Sequence, residues 1–204
     1  MVVAAYVVLG IFFSSLSWIL VLGLRSPARY EVEVSEQFQA PLARVYQAIA
    51  NIPAYPTWRS SVAKIELLGL VETPQGERFS FREFRKGGDA RGITYVVTDD
   101  TPPSKGPRIG ANERTLEAGP NGLGRRVHQI VGGRAPYAGQ WIFGLEPRGL
   151  TTNLTIIDQG EIRNPLMRGV ARLFIPPTKP MNQFLMDLRD YLHKSNQVSD
   201  ADLN

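Results

Sequence analysis

EVEVSEQFQAPLARVYQAIANIPAYPTWRSSVAKIELL, residues 31–68, is the stretch whose reading decides the fold. With the residue before it, Tyr30, Val32 and Val34 alternate with Glu31, Glu33 and Ser35, the period-two pattern of a half-buried strand. Pro41 suits the first position of a helix, where no backbone N–H is needed. Behind it Leu42, Val45, Tyr46 and Ile49 recur at helical spacing. Pro53 and Pro56 enforce a turn that delivers Trp58, and Ala63, Ile65 and Leu67 alternate as the apolar face of a second strand.

Downstream, short segments rich in aromatic and β-branched residues predict strands over 77–85, 92–99, 126–131, 140–146 and 151–157. Lys86-Gly87-Gly88-Asp89 and Pro147-Arg148-Gly149 read as hairpin connections, 101–110 as a loop, and 113–117 as a further short strand. Asn164 is a good N-cap with Pro165 at the first helical position. Leu166, Val170, Leu173 and Phe174 continue at helical spacing until Pro176, Pro177 and Pro180 interrupt. Met181, Phe184, Leu185, Leu188 and Leu192 then mark the face of a second helix. Strands joined by short turns and closed by a terminal helix predict an α+β domain over 30–194, with 195–204 a flexible tail.

Upstream, MVVAAYVVLGIFFSSLSWILVLGL, residues 1–24, carries no charged side chain. As a helix it is about 35 Å long at ~1.5 Å per residue, enough for a bilayer core of ~30 Å. A cleaved signal peptide would show a basic start, a shorter apolar run and a small-residue cleavage site, and a buried core helix would show a polar face. The reading is therefore a transmembrane anchor, joined by the linker 25–29. Arg25, Arg29, Arg44 and Arg59 all follow it, so the positive-inside tendency places the domain in the cytoplasm.

The chain of 204 residues has 23 basic and 19 acidic residues, a net charge of +4. That surplus is small and forms no dense stripe, which argues against a nucleic-acid partner. There is no cysteine, hence no thiolate nucleophile and no cysteine metal site, and His128 and His193 lack metal-ligand spacing. Gly119, Gly122 and Gly124 follow neither the phosphate-loop nor the dinucleotide pattern, so no cofactor is expected.

On this order of elements, residues 31–68 resemble the polyketide cyclase/dehydrase and lipid-transport group of the START-like superfamily, also called SRPBCC. The resemblance lies in Ala40-Pro41, the apolar positions Val45 and Ile49, and the Pro56-x-Trp58 turn. GQWIFGLEPRGLTTNLTIIDQGEI, residues 139–162, resembles that group's last strands, and FLMDLRDYL, residues 184–192, its closing helix. The resemblance implies a helix grip: a curved antiparallel sheet around a long C-terminal helix, with an internal cavity for lipids, polyketides or other apolar molecules. The proline interruption at 176–180 departs from an unbroken final helix and marks a kink or gate.

The rings of Trp58, Phe79, Phe81, Tyr95, Trp141, Phe143, Phe174 and Phe184 are the expected cavity lining. Glu83 shares a strand face with Phe79 and Phe81, Tyr95 with Ile93 and Val97, and His128 lies between Arg126 and Ile130. Clustered in the cavity, Glu83, Tyr95 and His128 would be acid/base candidates for a cyclase or dehydratase. Otherwise Glu83 pairs with a surface arginine, Tyr95 packs with its hydroxyl bonded, and His128 is solvated. Three functions follow: a membrane-tethered binder of an apolar ligand without catalysis, an enzyme using those groups, or a partner-binding scaffold with a filled core.

Overall fold

The structure, a computed structural model, describes residues 2–73, 76–88, 90–103, 123–133 and 138–201. The strand expected at 113–117, the glycine turn at 119–122, most of the 101–110 loop and Asp89 lie outside the described residues. In chain order the elements are α1 (Val2–Arg25), β1 (Arg29–Phe38), α2 (Leu42–Ala50), a 3-10 turn (Ile52–Ala54) and α3 (Tyr55–Trp58). Then come β2 (Val62–Thr73), β3 (Gly76–Arg85), β4 (Ile93–Thr101), β5 (Gly124–Gly133), β6 (Ala138–Arg148) and β7 (Thr151–Glu161), followed by α4 (Pro165–Phe174) and α5 (Lys179–Ala201).

The strands form one antiparallel seven-stranded sheet in the order β1-β7-β6-β5-β4-β3-β2. β1 and β2 are consecutive strands on opposite edges, so α2, the 3-10 turn and α3 must carry the chain from one edge to the other. The sheet curves around α5, the α+β arrangement expected from the sequence. The alternation in β1 pairs Tyr30 with Gly160 and Val34 with Ile156 across to β7. Val45 and Ile49 of α2, Tyr55 of α3, Phe81, Phe143, Leu154 and Ile156 of the sheet, and Met181, Phe184 and Leu188 of α5 are buried in one core.

Some expectations fail for local reasons. Leu67 is exposed, as are its neighbours Leu68 and Leu70, because β2 is an edge strand with bulges at Val62/Lys64 and Leu67/Gly69. A bulge shifts the register and turns the side chains that follow it, and Gly69 accommodates it at φ 84°. The proline interruption does not kink the gripping helix. It ends α4, and α5 starts afresh at Lys179 and runs to Ala201, past the expected domain end at 194. Asn164 caps α4 as expected, accepting from the N–H groups of Leu166 (2.9 Å) and Met167 (3.2 Å).

α4 packs against α1. Pro165 lies on Gly23 and Gly169 on Ile19, so closely that a Cβ on either glycine would collide with the facing backbone carbonyl. Phe174, at the end of α4, is 69 % exposed and takes no part in the core.

Phe143→Ala is therefore expected to cost about 3–5 kcal/mol, because its cavity opens among rings that cannot collapse into it. Phe174→Ala should change stability by no more than about 0.5 kcal/mol. Chemical denaturation of the full chain in detergent micelles measures both.

Candidate ligand site

The inner face of the sheet is built by strand alternation. β3 turns Phe79, Phe81 and Glu83 inward, β4 turns Tyr95 and Val97, β5 turns Arg126 and His128, and β6 turns Trp141 and Phe143. Phe184 of α5 meets Trp58 (5.4 Å between centroids), Phe143 (5.4 Å) and Trp141 (6.0 Å). Phe81 stacks on Tyr95 at 5.2 Å, and His128 stands edge-on to Phe81 and Phe143. These separations are those of rings in mutual contact. Seven of the rings named from the sequence thus come together with Phe79 at the margin, and Phe174 stays outside.

Glu83 is 2 % exposed, and both its oxygens are engaged. Arg59 donates to Oε2 at 2.5 Å and Arg85 to Oε1 at 3.2 Å. Arg59 is itself buried, its guanidinium over the rings of Tyr55 (4.9 Å) and Phe184 (5.2 Å). Its charge is thus met by a carboxylate on one side and π faces on the other, which makes burial tolerable. Glu83 thus pairs with an interior arginine, Arg59, as well as with the partly exposed Arg85. Arg85 also reaches the Tyr95 hydroxyl at 3.5 Å. The Tyr55 hydroxyl donates to the Ile49 carbonyl at 2.7 Å, and burial raises its pKa against the opposing charge of Arg59.

His128 is buried, not solvated. Its Nε2 accepts from Arg126 Nε at 3.0 Å, which puts the neutral ring's proton on Nδ1. Burial, then the charges of Arg126 and Arg59, hold its pKa well below the usual histidine value. Arg126 continues outward to Asp100 at 2.7 Å, and Asp100 accepts from the Tyr46 hydroxyl of α2. Burial and the Asp100 carboxylate raise the Tyr46 pKa. A polar chain therefore runs from His128 in the core through Arg126 and Asp100 to Tyr46 at the rim.

That chain borders an open cleft of about 400 Å³ between β3, β4 and β5. Phe79 and Val97 form apolar parts of its wall, and Glu77, Arg78, Asp100 and Arg126 polar parts. Arg78 donates from Nη1 to the Glu77 carbonyl, whereas its Nε is buried without a hydrogen-bond partner. Trp58 Nε1 is likewise buried and unpartnered within the ring cluster. Glu83, Tyr95 and His128 lie in the same interior, but each oxygen of Glu83 accepts from an arginine and the His128 lone pair from Arg126. Among the described residues no group of His, Asp and Glu is placed to hold a metal ion.

Sequence reasoning passed over Arg59, Arg78, Asp100 and Arg126. Arg59 directly follows the Pro56-x-Trp58 turn, and Arg126 shares a face with His128 two residues on, so period-two reading marks it as inward. Nothing local marks Asp100, whose partners lie on β5 and α2.

No family model matches the chain, and no curated protein matches it in sequence. Solved structures do match in shape. A START superfamily protein from Mycobacterium smegmatis superposes with a TM-score of 0.51 at 12 % identity, over 80 % of this chain and 97 % of that one. The Zhui aromatase/cyclase from Streptomyces sp. R1128 gives 0.53 at 11 %, over 81 % and 94 %. Norcoclaurine synthase from Thalictrum flavum, in complex with a transition-state analogue, gives 0.53 at 10 %, over 84 % and 98 %. The fold is the START-like helix grip. At these identities the likeness concerns shape, and the START-like architecture is here combined with α1, a helix long and apolar enough to cross a membrane.

Two outcomes follow from the interior charges. Glu83→Gln leaves Arg59 buried without its counter-charge and should cost about 3 kcal/mol in denaturation. His128 binds its proton more readily unfolded than folded, so it reduces stability as pH falls below about 6.5, by up to ~1.4 kcal/mol per pH unit. His128→Gln, neutral and still able to accept from Arg126, should flatten the profile between neutrality and that acid range.

Proposed function

We propose that the chain is a membrane-anchored START-like binder that takes an apolar, lipid-like or polyketide-like molecule at the cleft between β3, β4 and β5. The observation that carries this reading is the composition of the cleft: Phe79 and Val97 offer apolar wall beside an unpartnered, buried Arg78 Nε. Its volume of about 400 Å³ falls within the ~300–1,000 Å³ range of small-molecule sites, and the two apolar residues stand among six polar or charged ones, Glu77, Arg78, Thr98, Asp99, Asp100 and Arg126. The fitting ligand has an apolar part that lies on Phe79 and Val97 and polar groups that meet the charged side chains around them. Trp58, Phe81, Tyr95, Trp141, Phe143 and Phe184 then act as the rigid backing of the site.

Binding without catalysis is preferred over cyclase or dehydratase chemistry because Glu83 is buried and held in ion pairs with two arginines, and the one acceptor atom of neutral His128 is taken by Arg126. A general base needs a free lone pair within reach of the proton it removes. The anchor fits a binder of apolar molecules, since α1 keeps the cleft near the phase in which such molecules dissolve. With Arg25 and Arg29 at its end, the domain is assigned to the cytoplasmic side.

Mass spectrometry of the full chain extracted from its host membrane should recover an apolar small molecule near stoichiometric amount. Phe79→Glu places a carboxylate beside Glu77 and Asp100 and should abolish recovery while the protein stays folded. Recovery of no such molecule from folded protein, or equal recovery from the variant, would overturn the reading.

A further inference from the structure

We infer that α4 is a second bilayer-contacting element, which runs antiparallel along α1 and enters the lipid boundary with it. The inference rests on the reading of α1 as a membrane span. The first argument is depth. α4 meets α1 at Gly23 and Ile19, two and six residues before Arg25, the first charged side chain after the apolar run. At ~1.5 Å per residue these contacts lie about 3 and 9 Å below that charge. An amphipathic helix in the interface sits with its apolar face about 5–10 Å into the boundary. Pro165 on Gly23 and Gly169 on Ile19 set the two helices antiparallel, so α4 starts at that depth and its later residues lie deeper.

The second argument is polarity. On a helical wheel Leu166, Met167, Val170, Leu173 and Phe174 share one face, and Arg168 and Arg172 lie opposite. The α1 contacts, Pro165 and Gly169, fall to the side of that apolar face, so α1 does not cover it. Met167, Leu173, Phe174 and the following Ile175 are exposed to water by 37, 47, 69 and 54 %. The apolar surface of α1 continues into this one, and hydrocarbon that covers the first meets the second.

The third is the junction. Arg168 donates from Nε to the Gly23 carbonyl at 2.8 Å and from Nη1 to those of Ile162 (3.0 Å) and Arg163 (2.8 Å). A cation on the last turn of α1 offsets its C-terminal dipole and ties the span to the β7–α4 connection. Arg25, Arg29 and Arg163, of the charge sign that anionic headgroups attract, flank this junction, where the Ile162 N–H donates to the Ala28 carbonyl. The close backbone approach at Gly23 and Gly169 is the small-residue contact typical of helices packed in lipid. The grip is thereby held against the bilayer at two elements and cannot swing freely on the linker.

The chain has no native cysteine, so single labels are unambiguous. An environment-sensitive fluorophore is placed by Phe174→Cys, Phe12→Cys in α1 and Leu150→Cys on the β6–β7 turn. The full chain is reconstituted into phosphatidylcholine–phosphatidylglycerol vesicles. The labels at 174 and 12 should both be blue-shifted and quenched by doxyl groups on lipid chains. The label at 150 should answer only to aqueous iodide. A label at 174 that behaves like the one at 150, while 12 lies in lipid, would overturn the inference and leave the anchor. A label at 12 that answers to iodide would overturn the anchor reading and the inference with it.

Discussion

The guanidinium of Arg59 is the constraint on which the interior depends. It follows the turn that ends α3, pairs with Glu83 of β3 and lies over Phe184 of α5, so one side chain joins the helix pair, the sheet and the gripping helix. A buried charge tolerates no loosening of its partners, because separation leaves a desolvated ion. Tyr55 and Trp58 hold it from the α3 side, and Arg85 neutralises the second oxygen of Glu83. The rings around Phe184 gain their fixed positions from this arrangement, and the interior becomes a packed wall.

On the proposed reading, ligand binding is displaced outward by the same constraint. With the centre filled and the lone pair of His128 engaged by Arg126, the open volume lies at the mouth between β3, β4 and β5. There the sheet supplies apolar wall from Phe79 and Val97 and fixed charge from Arg126 and Asp100. Asp158 shows the contrary case on β7, where burial raises the carboxyl pKa against hydrogen bonds from Trp141 and Tyr30. Its carboxylate form is therefore a cost at neutral pH, whereas Glu83 has charged partners in place.

Much of this was legible in the sequence because it is local. The alternation at Tyr30–Ser35, the helix behind Pro41, the hairpins and the Asn164–Pro165 start of α4 depend on residues within one or two turns of each other. Period two puts Glu83 and Tyr95 on apolar strand faces, but it leaves open whether Glu83 and His128 are buried or solvated. What was not legible depends on distant pairing. The interior partner of Glu83 is not legible, because sequence gives no burial for Arg59, whereas a partly exposed partner, Arg85, matches the expectation of a surface arginine. Leu67 was read as inward because bulges leave no sure mark on an edge strand. Phe174 was read as lining because helical spacing reports a face without reporting what covers it. The α1–α4 contact joins positions 145 residues apart, and only the structure places Gly23 against α4.

The central claim is that the grip takes its ligand at the mouth while the ring cluster stays closed. Amide and indole N–H spectra of the isotope-labelled full chain in nanodiscs, recorded with the bound apolar molecule and after its extraction, test this directly. The account predicts shifts at Arg78, Phe79, Val97 and Arg126, with the Trp58 and Trp141 indole signals unmoved. The largest shifts at those two indoles and at Phe184 would contradict it and place the ligand inside the core.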